Sequence, residues 1–415
     1  MTNAMIGPAP SEATGVSTAA AGNASPHRKR QGLPGFSREA GKTGAASRFF
    51  SIDALRGLII VLMALDHANY FVAQKHSAGE YWGGPFPAYY DPLAFITRLA
   101  THPAAPGFLF LMGVGVALFV HSRRQRGWSH WAVSRNLAIR GLVLIALQLL
   151  VVNRAWELSP TGWELQWYMG VLIALGGGMI LASLLVWLKP LHLLGLGVIL
   201  LVAAELLTPA PGLWGQTFSV PIHVLFIPGG AEGWWVNYPI LQWLELVVLG
   251  LAFGKWLAKD PRRAFRWAMA IGAALLAAFV AIRALDGFGN LRPLAGKGWM
   301  DFLNVVKYPP SLAFTALTMG VNMLILGLFG WAGERSTLVR TILQPLVVFG
   351  RAPLFFYVTH LFLYAGLGYL LTPEGTSVLA MYPYWILGLL LLFPFCLWYG
   401  QLKQRQPAHS PLRFL

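Results

Sequence analysis

The chain has 415 residues, of which 56% are hydrophobic and only 11% charged, with a mean hydropathy of +0.57; this excludes a water-soluble globular domain, which needs far more charge. A net charge of +15 would suit a polyanionic partner, but no aromatic-basic binding module accompanies it and the basic residues follow membrane topology, which argues against nucleic acid. Cys396 is the one cysteine, which rules out an intrachain disulfide and a cysteine-based metal cluster.

Residues 1 to about 47 are rich in Ala, Gly, Ser and Pro, with almost no large apolar side chains, and predict a disordered cytoplasmic tail. No signal-peptide hydrophobic core precedes Phe49, so the first span is itself the membrane-targeting element. Apolar runs then recur near 52–73, 104–121, 134–152, 166–188 and 190–208, and again near 237–258, 264–284, 309–331, 352–372 and 378–400. Each approaches the ~20 residues that cross a hydrocarbon core, which predicts an all-α, polytopic transmembrane bundle of about ten spans. They form one transmembrane domain, 48–402, followed by a cytoplasmic tail, 403–415. With the N-terminus inside, Arg28-Lys29-Arg30, Arg123-Arg124-Gln125-Arg126, the stretch from Lys255 to Arg266 and Lys403-Gln404-Arg405 all fall on the cytoplasmic side, and an even number of crossings returns the C-terminus there. The expectation is a multi-pass protein of the cell (inner or plasma) membrane, in contact with lipid.

The first span opens on Arg56-Gly57 and carries Asp66-His67 near its far end. Ionisable groups inside a span are costly and face a protein interior or a wet cavity, which makes these residues candidates for function. Eleven residues at ~1.5 Å each separate Arg56 from His67 by roughly 16 Å and close to three turns, so one helix face carries an anion contact below and a base above. Asp66 points about 100° away from His67 and is expected to pair with an arginine or to reach His102. Three far-side connections, 74–103, 209–236 and 285–308, are long and rich in Trp, Tyr, Pro and Gly, as lids and binding walls are. His102 precedes Pro103 where the second span begins, so it can meet His67 at the outer mouth.

Arg135 and Arg140 on the third span, with Arg351 before the ninth, suit the phosphates of a cytoplasmic ligand, Arg140 lying deepest. Gly176-Gly177-Gly178 permits close helix packing, and His121, His130 and His192 are interfacial. Lys307-Tyr308-Pro309-Pro310-Ser311 enters the eighth span with its prolines in the first helical turn. Residues from Gln344 to Pro353 predict a short re-entrant or cytoplasm-side helix, because Pro353 would break a continuous one. His360 follows in the inner half of the ninth span, either among the donor-binding residues or hydrogen-bonded between helices. No recurrent ligand spacing supports a metal site.

Ser51-Ile52-Asp53-Ala54-Leu55-Arg56-Gly57 with Met63-Ala64-Leu65-Asp66-His67 resembles the opening of bacterial membrane proteins related to heparan-alpha-glucosaminide N-acetyltransferase, within the transmembrane acyltransferases. Thr97 to His102 leading to Ala105 through Gly113, then Lys307 to Ser311, then Gly350 through His360, fit the same group in the same order. The first segment is also similar to the start of O-antigen and peptidoglycan O-acetyltransferases, in which an arginine precedes a histidine by the same eleven residues. The resemblance implies acyl transfer across the bilayer, from cytoplasmic acetyl-CoA (acyl-CoA) to a sugar or glycan acceptor on the other side, with Arg98, Lys307 and Tyr308 at the acceptor and Arg56, Arg135, Arg140, Arg351 and His360 at the donor. In the lysosomal enzymes the histidine regarded as catalytic lies in a Lys-His-Ala-Ser stretch, which Lys75-His76-Ser77 matches loosely, whereas Asp66-His67 follows the bacterial pattern. His67, His76 and His102 therefore compete for the central role, with His67 first and Asp66 beside it. Imidazole can act there as general base or as an acetyl-carrying nucleophile. The alternative is a transporter or flippase for a glycolipid or small polar substrate, although no repeated halves are evident. A homo-oligomer is left open.

Overall fold

The computed structural model describes residues 49–76, 79–158 and 167–406; the tail expected over 1–47, and residues 407–415 of the other, lie outside the described residues. Helix α1 (Phe50–Ala68) continues through a π turn, Asn69–Ala73, and stops at Gln74, whose φ of 55° is left-handed. Helix α2 (Pro92–Thr101) starts on the Asp91 side chain, which accepts from Leu93 N, and turns into α3 (Ala104–Gln125) at His102-Pro103. Helix α4 (His130–Leu147) runs through a second π turn, Gln148–Val152, into α5 (Asn153–Glu157). Next come β1 (Trp167–Met169), α6 (Val171–Leu185), α7 (Pro190–Leu207) and the short α8 (Val220–Leu225). Strands β2 (Gly229–Ala231) and β3 (Trp234–Val236) lead to α9 (Leu244–Lys259) and α10 (Pro261–Leu285). The chain closes with α11 (Trp299–Leu303), α12 (Leu312–Arg335), α13 (Thr337–Ile342), α14 (Gln344–Arg351), α15 (Pro353–Leu371) and α16 (Val378–Arg405).

A helix lies in each of the ten apolar segments, and among the described residues seven helical stretches are long and apolar enough to cross a membrane: 92–125, 130–157, 190–207, 261–285, 312–335, 353–371 and 378–403. The shorter α6 and α9 have 15 and 16 residues, because residues 167–170 and 237–243 of the expected segments lie outside the helix. The start near 309 is likewise corrected. Ser311 caps α12 by accepting from Phe314 N at 3.1 Å, and Pro309 and Pro310 precede the helix instead of forming its first turn. Pro353 does break the chain, leaving α14 as a separate short helix.

Glycines set the close crossings. A Cβ on Gly57 of α1 would stand 1.8 Å from Leu346 O, and one on Gly350 of α14 would stand 1.9 Å from Asp53 O, so the two backbones touch where no larger residue fits. Gly176 meets Gly141 O of α4 in the same way, and Gly113 of α3 meets Val247 O of α9. The result holds α1 against α3, α12, α14 and α15, with Leu55, Ile59, Ile60 and Leu65 buried among them.

The three long connections fold together over the C-terminal end of α1. Tyr81 bridges to Tyr308, Trp82 N donates to Tyr308 O at 2.9 Å, and Lys307 N and Tyr308 N both donate to Glu80 O at 3.0 Å. Arg292 reaches back to Gly84 O at 2.8 Å, and Tyr81 packs on Trp214 with ring centroids 5.1 Å apart. Strand β3 pairs parallel with β1 and antiparallel with β2, and this small sheet turns Trp235 towards Tyr81.

Candidate active site

Under this cap lies a chamber of about 310 Å³ whose wall includes Asp66, His67, His76, Arg98, Tyr308 and Lys307, with Tyr81, Trp156, Trp235 and Asn237. The α1 and α15 helices put His67 Nδ1 2.6 Å from His360 Nε2, and His360 Nδ1 2.8 Å from Phe356 O. Counting donors assigns the protons. A carbonyl can only accept, so His360 carries hydrogen on Nδ1 and offers a lone pair at Nε2; His67 then carries hydrogen on Nδ1 and donates to it. His67 Nε2 is left as a lone pair, with no hydrogen bond among the described residues. His360 is fully buried, packed between Phe356 and Tyr364, and lies behind His67 instead of in the wall of either cavity, which removes it from direct contact with a donor.

The other two histidines are differently committed. Arg98 Nη1 donates to His76 Nε2 at 2.7 Å, which consumes that lone pair. Burial, with the Arg98 charge added, pushes the His76 imidazole below its ordinary value and keeps it neutral. His102 faces oxygen at both ring nitrogens, Arg98 O at 2.7 Å and Glu80 at 3.3 Å, and it does not line the chamber. Its expected meeting with His67 at the mouth is therefore replaced by a place behind Arg98.

Arg98 organises this end. It is buried, grips Glu80 through two nitrogens, and donates to Asp66 at 2.5 Å. Thr101 gives Asp66 a second hydrogen bond at 2.9 Å. Burial alone would raise the Glu80 carboxyl, but the guanidinium outweighs it and holds Glu80 well below the usual carboxylate range. Asp66 thus pairs with an arginine, one of its two expected partners, and does not orient His67. Tyr308 stands with its hydroxyl 3.3 Å from that of Tyr238. Lys307 lies against the Tyr308 ring, 5.1 Å from its centroid.

A second chamber, of about 320 Å³, sits nearer the start of α1. Its wall is largely apolar, with Leu111, Leu137, Leu172 and Met179, and its cations are Arg56, Arg140 and Lys403. Phe108, Val171 and Tyr357 line both chambers, so these three side chains form a shared partition. Arg56 donates to Asp53 at 2.9 Å and to Gly350 O at 3.1 Å, and Arg140 stacks over Phe119 at 4.9 Å. Arg351 stays outside this wall, 3.6 Å from Asp53, and Arg135 is exposed on α4 and lines neither chamber. Of the residues expected at a donor, the structure gathers Arg56 and Arg140 and leaves Arg135, Arg351 and His360 outside.

Glu80, Asn237, Tyr357 and Lys403 escaped the sequence analysis as site residues. Glu80 had a signal, being an acid in an aromatic loop of an acid-poor chain; Lys403 was counted with the topology-setting charges. Tyr357 lay inside the Gly350–His360 segment that carries the resemblance without being singled out, and Asn237 had no signal, since it owes its place to long-range packing.

The family model described as heparan-alpha-glucosaminide N-acetyltransferase, catalytic, matches residues 48–285, more than half of the chain. The heparan-alpha-glucosaminide N-acetyltransferase of Homo sapiens is 29% identical over 129 residues, which is 31% of this chain and 17% of that protein. The Mus musculus protein of the same name is 28% identical over 135 residues, 32% of this chain and 18% of its own length. The matched part thus spans under a fifth of these relatives.

Proposed function

From the premise that the chain belongs to the heparan-alpha-glucosaminide N-acetyltransferase catalytic family, we propose that it moves an acetyl group from acetyl-CoA on the cytoplasmic side to an amine or hydroxyl of a sugar or glycan on the opposite side. The ten helices are then ten crossings of the cell membrane, both termini are cytoplasmic, and the cap faces outwards. The observation that carries this reading is the pair of chambers that share Phe108, Val171 and Tyr357 in their walls, one holding the His67 lone pair and the other holding Arg56, Arg140 and Lys403. A CoA enters by the second chamber, its phosphates held by those cations and its pantetheine arm along the apolar wall. The thioester passes the partition, and the acceptor enters under the aromatic cap beside Arg98, Lys307 and Tyr308.

His67 Nε2 takes the proton of the acceptor nucleophile as that nucleophile attacks the thioester carbonyl, and returns it to the departing CoA sulfur. The imidazolium formed keeps its Nδ1 hydrogen on His360. The same lone pair would serve an acetyl-His67 intermediate, and the two orders differ in whether acetyl accumulates on protein before acceptor is added. Purified protein given labelled acetyl-CoA and an amino sugar tests the reading. Labelled acetyl-sugar is expected from the wild type and not from His67→Ala at equal expression; retained activity in that variant would shift the role to His76 or His102, and no transfer by the wild type would defeat the assignment.

A further inference from the structure

Acyl transfer creates a negative oxygen that the base does not stabilise. When the nucleophile's electron pair adds to the thioester carbon, the carbonyl π pair moves onto oxygen; when the C–O double bond reforms, the C–S pair leaves on sulfur, which takes the proton held by His67. The oxygen needs a preorganised donor in between.

The chamber wall has few to offer. All three nitrogens of Arg98 are engaged, by Glu80, Asp66 and His76. Asn237 donates to the Tyr168 hydroxyl at 3.0 Å, Trp235 Nε1 donates to the Tyr81 hydroxyl at 3.0 Å, and Tyr81 in turn donates to Asn237. The Tyr238 and Tyr308 hydroxyls share one hydrogen bond, in which one donates and the other accepts, leaving a single neutral O–H between them. Lys307 differs. It is 4% exposed and forms part of the wall, yet among the described residues its ammonium makes no ion pair and no side-chain hydrogen bond, only the contact with the Tyr308 ring. A ring face offsets part of the cost of burying an ammonium, and three N–H donors remain uncommitted. The segment is also fixed, since Lys307 N and Tyr308 N are both tied to Glu80 O. Burial pushes the amine down to about 8, so it keeps its charge at neutral pH.

We propose that Lys307 is a catalytic residue of the transfer, donating through Nζ to the oxyanion that develops on the acetyl carbonyl in the chamber of His67. This deepens the acetyl-transfer reading and rests on it. His67 and Lys307 line the same chamber, whose volume of about 310 Å³ is at the small end of the ~300–1,000 Å³ range of ligand pockets, so a carbonyl attacked beside His67 shares its enclosure with the Lys307 ammonium.

The test is steady-state transfer from labelled acetyl-CoA to glucosamine by purified wild type, Lys307→Met, Lys307→Arg and Tyr357→Phe, Tyr357 being the neutral donor shared with the second chamber. Lys307→Met is expected to lower kcat about 10²- to 10³-fold, the loss typical of one oxyanion donor, while KM for glucosamine stays within a few-fold. Lys307→Arg is expected to recover at least a tenth of the wild-type kcat. Unchanged kcat with a raised KM in Lys307→Met would make the lysine a binding group and overturn the proposal, as would a larger kcat loss in Tyr357→Phe. Equal losses in Lys307→Met and Lys307→Arg with lowered melting temperatures would also overturn it, by making the role structural. A wild type that transfers nothing would instead defeat the acetyl-transfer reading itself.

Discussion

His67 announces itself in sequence because an acid-imidazole pair interrupts an apolar run, and its physical advantage over His76 and His102 comes from what occupies their nitrogens. That part could not be read in advance: His360 lies 293 positions away, and His76 is on a loop whereas the arginine that silences it sits on α2, 22 positions on. The donor chain from Phe356 O through His360 to His67 makes His360 a positioning residue. His360→Phe keeps an aromatic ring between Phe356 and Tyr364 but removes the acceptor of the His67 hydrogen, freeing the imidazole to take the wrong tautomer. Turnover is expected to fall by roughly 10- to 100-fold with KM for acetyl-CoA unchanged, against about 10²- to 10⁴-fold for His67→Ala, as measured by initial rates. The Lys307 amine adds a pH signature. It faces Asp66 of α1, Arg98 of α2 and Glu80 and Tyr308 of the cap, and with its value lowered to about 8 it is charged below that pH and neutral above. The kcat profile is expected to decline as pH rises through about 8, and in Lys307→Arg that limb should vanish; an unchanged limb would assign it to another group.

A helix lies in each of the ten hydrophobic runs read from the sequence, and among the described residues seven helical stretches are long and apolar enough to cross a membrane, but the helix ends were not legible, because ends are decided by contacts between loops. Tyr308 forms a bridge to Tyr81 across more than two hundred residues, which pulls the two prolines out of α12. The short α14 was predicted from Pro353, a local rule that held. The Gly57 to α14 contact was not, since a glycine beside Arg56 in sequence says nothing of Leu346. Gly57→Val would force a side chain into a carbonyl 1.8 Å from the ideal Cβ, and α1 could not keep its distance from α14. Such overpacking costs typically about 1–3 kcal/mol. The detergent melting temperature is expected to drop by several degrees, whereas Gly366→Ala on α15, which has open space around its Cβ, should leave it unchanged.

Taken together, the helices give the protein two unlike chambers at opposite ends of α1, which the Arg56 and His67 spacing foreshadowed and the partition of Phe108, Val171 and Tyr357 completes. The cationic chamber should behave as an anion site: Arg140→Gln is expected to raise KM for acetyl-CoA about tenfold and to weaken its salt dependence, with KM for the acceptor unmoved. What distinguishes a membrane-crossing transferase from an enzyme that works on one face, or from a carrier, is sidedness. Protein reconstituted in one known orientation, with labelled acetyl-CoA confined to the compartment facing Arg140 and glucosamine confined to the one facing the aromatic cap, is predicted to form labelled N-acetylglucosamine only in the acceptor compartment, without acetyl-CoA appearing there. Product formed only when both substrates share a compartment would contradict the account.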